Sequence, residues 1–227
     1  MKKNKKLKII NKYNLKNKYF KINKIFKIIK KLNFVKFNSS IDLYINVYLK
    51  NKKDIFIHKN ILLPYGNGKK YKILLLVQKN IRYKFKKFKI DYIGGNKYIN
   101  KIKNDKWIKF NIIITTTYYM NKLLKLGKIL GTKNLMPNIN NNTITDNPYD
   151  VVKNLIDGKK NEIKINKNNN NIINLTIGKI SFDENKLIKN LEYVLYILKN
   201  LKKKYNFIYI KNIYISSTMG PSLKLFL

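Results

Sequence analysis

The side chains of this sequence that could do chemistry are overwhelmingly cationic. Among 227 residues, 50 Lys+Arg face 11 Asp+Glu, a formal charge of +39. Self-repulsion on that scale opposes a compact state unless a polyanion neutralises it, so nucleic acid or an anionic membrane is the first partner to test. Catalysis has little material. The absence of cysteine removes disulfides, thiolate nucleophiles and zinc–thiolate sites together. His58 is the single imidazole, which leaves little for a His-pair metal site or a Ser-His relay. The acids, from Asp42 to Glu192, are scattered, and most lack the acidic neighbour that a paired-carboxylate mechanism needs. This inventory points away from an enzyme, a metal site and a cofactor.

Composition qualifies the charge. The chain holds 36 Asn, one Arg (Arg82) and no Ala, and its dominant residues have A/T-rich codons. Codon bias and selection for binding both account for the lysine excess, so position matters more than the total. A hydrophobic content of 44% is ordinary for a folded chain. No apolar run approaches the ~20 residues of a membrane-spanning helix, so the expectation is a soluble, folded, polyanion-binding protein.

The elements that would position a binding surface are legible from periodicity. Lys2 to Leu32 mixes Lys and Asn with apolar residues at helical spacing, including Phe26, Ile29 and Leu32, and reads as a basic surface helix. Residues 41–49 alternate without a break, Ile41, Leu43, Ile45, Val47 and Leu49 against Asp42, Tyr44, Asn46 and Tyr48, as a half-buried strand does. Pro64-Tyr65-Gly66-Asn67-Gly68 is turn punctuation and a candidate domain boundary. Beyond it the continuous apolar runs Ile73 to Val77 and Phe110 to Ile114 suggest strands covered on both faces. Helical spacing at Tyr98, Ile99 and Ile102, and again at Met120, Leu123, Leu124 and Ile129, completes a small α/β unit with a parallel sheet, ended by Asp157-Gly158.

Strand texture returns at Glu162, with the Asn tract 168–171 as a hairpin loop. Ser181-Phe182-Asp183-Glu184 has capping-box spacing ahead of an amphipathic helix through Leu187, Leu191, Val194, Leu195 and Leu198. A last strand, Ile208 to Ile215, leads into Ser216. The fold class expected is therefore α/β: an α+β domain from both chain ends, residues 1–66 with 158–227, carrying an inserted α/β domain, residues 67–157. Hinges near Gly66 and Gly158 would join them.

Four blocks in order carry a family resemblance: Leu63-Pro64-Tyr65-Gly66-Asn67-Gly68-Lys69, Lys128-Ile129-Leu130-Gly131-Thr132-Lys133-Asn134-Leu135-Met136-Pro137-Asn138, Ile177-Gly178-Lys179-Ile180-Ser181-Phe182 and Ser216-Ser217-Thr218-Met219-Gly220-Pro221. They resemble the bacterial-type ribosomal protein L1 family along essentially the whole chain. The resemblance implies a split RNA-binding domain I with a Rossmann-like domain II between its halves. It also implies binding to the L1 stalk of large-subunit ribosomal RNA, a role in the movement and release of exit-site tRNA, and, as an alternative function, repression of the protein's own messenger RNA.

By the same resemblance, Lys36-Phe37-Asn38-Ser39-Ser40-Ile41-Asp42 is a contact segment. Lys36 would meet phosphate, Phe37 would pack on ribose or base, and Ser40 would hydrogen-bond, with Asp42 in the same block. Read without the family, Phe37 is equally a core residue and Ser40 a strand cap. Ser217, Thr218, Met219 and Gly220 would form the second segment, the Thr218 hydroxyl and nearby amides reading 2′-hydroxyls and Gly220 letting RNA approach the backbone. Those residues alone fit a strand-to-loop turn ended by Pro221. Lys164 and Lys167 match basic family positions, although Lys164 replaces the usual Arg and loses its planar fork.

Gly66-Asn67-Gly68-Lys69 is too short for a Walker loop, and Gly94-Gly95 lacks the third glycine of a dinucleotide fingerprint. A nucleotide-using enzyme on the inserted unit is thus the weakest of the three functional readings. Trp107 is expected to anchor a core. The expected setting is a ribosome in the cytoplasm of a reduced-genome bacterium or in the matrix or stroma of an organelle. There the protein would sit as a monomer with large-subunit rRNA, exit-site tRNA and its own mRNA as partners, and no membrane.

Overall fold

A computed structural model describes residues 18–49, 56–139, 141–166, 172–204 and 208–226. The chain divides into two compact units, one from residues up to Gly68 with those from Lys159 onward, the other from Lys69–Gly158.

In the first unit, β1 (Tyr19–Phe20) leads into α1 (Ile22–Lys31), β2 (Ser40–Leu49) and β3 (Phe56–Leu62). After the second unit come β7 (Lys160–Asn166), β8 (Ile172–Lys179), α6 (Glu184–Lys204), β9 (Ile208–Ser217) and β10 (Ser222–Leu225). Five strands form one sheet in the order β1-β10-β9-β2-β8, and β3 pairs antiparallel with β7 in a second. Among the described residues, the β1–β10 contact of the large sheet is parallel and its other strand pairs are antiparallel.

The period-two pattern of β2 explains the layering. Ile41, Leu43, Ile45 and Val47 point into a core shared with Ile173, Leu175 and Ile177 of β8, Ile213 and Ile215 of β9, and the apolar stripes of α1 and α6. The alternate residues lie on the opposite face, where among the described residues Asp42, Tyr44 and Asn46 are half-buried and Tyr48 is exposed. Helix α1 buries Ile25, Phe26 and Ile29 beneath lysines, with Lys30 and Lys31 complementing the dipole of its last turn. It is shorter than the Lys2–Leu32 stretch expected from composition: β1 precedes it, and residues 2–17 lie outside the described residues. The Asn tract 168–171 lies outside them too.

The expected capping box is corrected by the structure. Helix α6 begins at Glu184, and the carbonyl of Asp183 accepts from the N–H groups of Lys186 and Leu187, which puts Asp183 at the N-cap. Ser181 falls two residues too early. Its hydroxyl accepts from the Asn38 side-chain amide at 3.0 Å instead.

Gly178 sits at the sheet–helix contact. A Cβ there would lie 2.6 Å from Leu187 Cδ2 and 3.1 Å from Phe182 Cδ2, and Leu187 is wholly buried. Gly178→Ala is therefore expected to destabilise the protein by about 1–3 kcal/mol through overpacking, read as a lowered urea midpoint at unchanged m-value.

The second unit contains β4 (Ile73–Leu76), a 3-10 helix (Lys79–Phe85), β5 (Tyr92–Gly94), α2 (Asn96–Asp105), β6 (Ile112–Thr115), α3 (Thr117–Leu124), α4 (Gly127–Gly131) and α5 (Pro148–Ile156). Its sheet is parallel, in the order β5-β4-β6. The unbroken apolar run of β4 follows from burial on both sides. Leu74 and Leu76 join Ile102, Ile113 and Leu123 in one cluster, and Ile73 and Leu75 join Phe85, Ile114, Val152 and Leu155 in the other. Trp107 packs edge-on to Tyr92 at 4.7 Å and lies 5.6 Å from Phe110, which fits an anchoring role. After α4, Asn134 takes a left-handed φ of 53°, a conformation that asparagine tolerates better than most residues.

Candidate nucleic-acid interface

Because β2 lies between β8 and β9, three strand ends meet at one end of the large sheet. Ser40 opens β2, Lys179 closes β8 and Ser217 closes β9, with Ser40 in register with Lys179 and Ile41 with Ser217. The loops leaving these ends are tied together. The Thr218 N–H donates to the Ser40 carbonyl at 3.0 Å, and the Ser40 N–H donates to the Thr218 hydroxyl at 3.2 Å. The hydroxyl itself donates to the Ser40 carbonyl at 3.3 Å. Lys179 Nζ donates to the Ser40 hydroxyl at 2.8 Å, and the Ile180 N–H donates to the Ser39 carbonyl. Asn38 grips Ser181 in both directions, donating to its hydroxyl and accepting from its N–H.

The two expected contact segments therefore share one surface, although Ser40 and Thr218 are 178 residues apart. Lys36 is exposed, and Phe37 is 54% exposed, which removes it from the core. Met219 is 64% exposed at a φ of 69°. A non-glycine residue held left-handed stores backbone strain of order 1 kcal/mol, as Lys106 does elsewhere in the chain. Asp42, one step along β2, accepts from the Thr176 hydroxyl at 2.7 Å.

Three expected roles change. Ser217 is 4% exposed, which leaves its side chain little surface to offer a ligand. The Thr218 hydroxyl both donates to and accepts from Ser40, so it acts as a strut between strands. Gly220 does not hold the left-handed turn, since Met219 does. Its missing Cβ is instead required by the Ser217 side chain, whose oxygen would lie 2.2 Å away, while the Gly220 N–H closes the turn on the Ser217 carbonyl. Lys164 lies on β7 in register with His58, and Lys167 lies outside the described residues.

Sequence reasoning gave no role to Lys179 or Asn38, both central to this network. It also passed over Asn190 on α6, wholly buried among apolar neighbours. Asn190 Nδ2 donates to the carbonyls of Gly66 and Ile177, each at 2.8 Å, and Oδ1 accepts from the Tyr65 N–H at 3.0 Å. A polar residue on the stripe Leu187, Leu191, Val194 was the available signal. Gly66 and Gly158, at φ 71° and 64°, are left-handed turn residues, and the Gly66 carbonyl is thus pinned to α6.

The face of the sheet away from the helices adds charge. Lys224 Nζ donates to the Tyr19 hydroxyl at 2.9 Å, and this bond holds the ammonium above the usual lysine range. Among the described residues no cluster of His, Cys, Asp and Glu could hold a metal, and no helix is long and apolar enough to cross a membrane. Gly94 and Gly95 are packing positions. A Cβ on Gly95 would lie 2.5 Å from the Tyr119 hydroxyl, and one on Gly94 would lie 2.3 Å from the Tyr98 ring.

A split α/β protein whose strand ends present lysine, an exposed phenylalanine and a left-handed methionine turn has the surface chemistry that a nucleic-acid-binding module uses. The profile described as "Ribosomal protein L1p/L10e family" matches residues 25–221, and the chain belongs to that family of structural, non-enzymatic proteins. It is 38% identical over 191 residues to the large ribosomal subunit protein uL1 of Mycoplasma capricolum subsp. capricolum, covering 83% of each chain. Identity to uL1 of Persephonella marina is 37%, over 84% of this chain and 78% of that one. With uL1 of Borrelia garinii subsp. bavariensis it is 36%, over 86% and 84%.

Proposed function

We propose that this chain is a structural protein of the large ribosomal subunit that holds the L1 stalk of the ribosomal RNA through the strand-end surface of its first unit. The observation that carries this reading is the Ser40–Thr218 clamp, which unites the Lys36-Phe37 and Met219-Gly220 segments on one cationic edge. Lys36 supplies charge to phosphate, Phe37 and Met219 supply surface for ribose and base, and the clamp keeps both loops in place before RNA arrives. Handling of exit-site tRNA would follow from holding that stalk. Residues 1–66 with 158–227 would then be the RNA-binding domain and 67–157 the inserted one, with Gly158 and the segment after the pinned Gly66 as hinges. The ribosome of a reduced-genome bacterium or an organelle is the setting we assign.

Filter binding of a stalk hairpin RNA over a salt series tests this. Wild type is expected to bind with a steep negative dependence of log affinity on log salt. Lys36→Gln is expected to weaken binding and to reduce that slope by about one. An unchanged slope, or a wild-type protein that distinguishes the hairpin from an unrelated duplex no better than nonspecific charge allows, would overturn the reading.

A further inference from the structure

The strand register of the large sheet places a single row of side chains across all five strands on its open face. Tyr19 of β1 faces Lys224 of β10, Lys224 faces Tyr214 of β9, Tyr214 faces Tyr44 of β2, and Tyr44 faces Asn174 of β8. One pleat repeat closer to the strand-end surface lies the row Ser222, Ser216, Asp42 and Thr176. Residues two apart on a strand are separated by about 6.6 Å, so the tyrosine row begins roughly 13 Å from Ser40 along β2. Farther along, Tyr48 pairs with Tyr209, and a bulge after Asn46 leaves Lys211 unpaired, with its ammonium 5.2 Å from the centre of the Tyr48 ring.

This face differs from an apolar docking surface. Its large side chains are tyrosines, with Tyr19 57% and Tyr48 48% exposed and Tyr44 and Tyr214 half-buried. Lysines sit among the rings, Lys224 lying 4.5 Å from the Tyr19 centroid. Asp42 is the one acid on the face among the described residues, and Thr176 already occupies it. Rings flat enough to stack, alternating with cations, complement a chain of bases and phosphates. A duplex keeps its base faces stacked inside, so only unpaired nucleotides can use such a platform.

We infer that the tyrosine row is a second RNA subsite, continuous with the strand-end surface, which takes unpaired nucleotides leaving the structured RNA held there. This rests on the RNA-binding reading of the strand-end surface and names a further part of the ligand that surface would hold. The phosphates of the strand would pass Lys224 and Lys211 while its bases lie against Tyr44 and Tyr214.

The test compares a blunt stalk hairpin RNA with the same hairpin carrying a short unpaired pyrimidine tail. In wild type the tail is expected to raise affinity about tenfold. The Tyr44→Leu/Tyr214→Leu protein should lose that gain while binding the blunt hairpin within about twofold of wild type, and Tyr44→Phe/Tyr214→Phe should keep it. Ultraviolet cross-linking of the tail to wild-type protein, followed by peptide mapping, gives a readout independent of how the variants fold, and Tyr44 or Tyr214 should be the acceptor. A tail that adds nothing to wild-type binding, or cross-links that map elsewhere, overturns the inference while leaving the strand-end site intact and the face to a protein partner. Failure of the blunt hairpin to bind at all removes both readings.

Discussion

Replacing Phe37 and Met219 together by alanine is expected to weaken binding of the stalk hairpin about a hundredfold. Both side chains stand more than half exposed, and they flank a clamp whose own hydrogen bonds do not involve them. Truncation therefore removes contact surface without touching the scaffold, and the change in unfolding free energy should stay within about 0.5 kcal/mol. A side chain against a base or ribose contributes roughly 1–3 kcal/mol, and two such losses convert to the stated factor. Met219→Gly separates side chain from backbone. Glycine accepts the φ of 69° without strain, so the turn persists and only the side chain is gone. If that variant binds as weakly as Met219→Ala, the thioether is the contact. Filter binding within threefold of wild type for the double variant would show that the interface lies elsewhere.

The largest stability effect is expected at Asn190. Its amide satisfies two carbonyls and one N–H at once, in a site with no exposure. Asn190→Leu fits the apolar stripe of α6 by composition, yet leaves the groups of Tyr65, Gly66 and Ile177 without this partner. Unsatisfied buried polar groups cost about 1–3 kcal/mol each, and some relax toward water, so a loss of roughly 3–5 kcal/mol is expected in urea unfolding. Asn200→Ala, on the exposed face of the same helix, provides the comparison and should change stability by less than about 0.5 kcal/mol. A leucine variant as stable as wild type would mean that the Pro64–Gly66 turn holds without its anchor.

These two sites mark what periodicity can and cannot carry. The alternation of Ile41 to Leu49 was legible because one face of β2 meets a helix layer and the other does not. The run Ile73 to Val77 was legible because β4 is covered on both sides. The apolar spacing of α6 predicts its body but not its start, because Ser181 answers to Asn38, 143 residues away, and no local pattern reports a partner at that distance. The three-residue strand β5 and the two-residue strand β1 are too short to show a period.

The same distinction holds within the candidate site. Residue types and family likeness pointed to Lys36, Phe37 and the Ser217–Gly220 turn, while the division of labour among them needed coordinates. Ser217 and Gly220 fit each other, Thr218 braces β2, and Met219 alone reaches outward. Asn190 stayed hidden because an asparagine on an apolar stripe looks like an interruption until its three partners are seen.

The central pairing of the large sheet, β2 with β9, joins Ile41 to Ser217, whereas the Lys69–Gly158 unit is one uninterrupted stretch. During synthesis the inserted unit can collapse on itself while β2 still waits for its neighbour. Closing a loop of that span is slow, and it leaves a half-built apolar sheet face uncovered in the meantime. A nascent chain therefore cannot complete the strand-end surface until β9 has emerged, so on the proposed reading RNA capture would wait for Ser217 and Thr218.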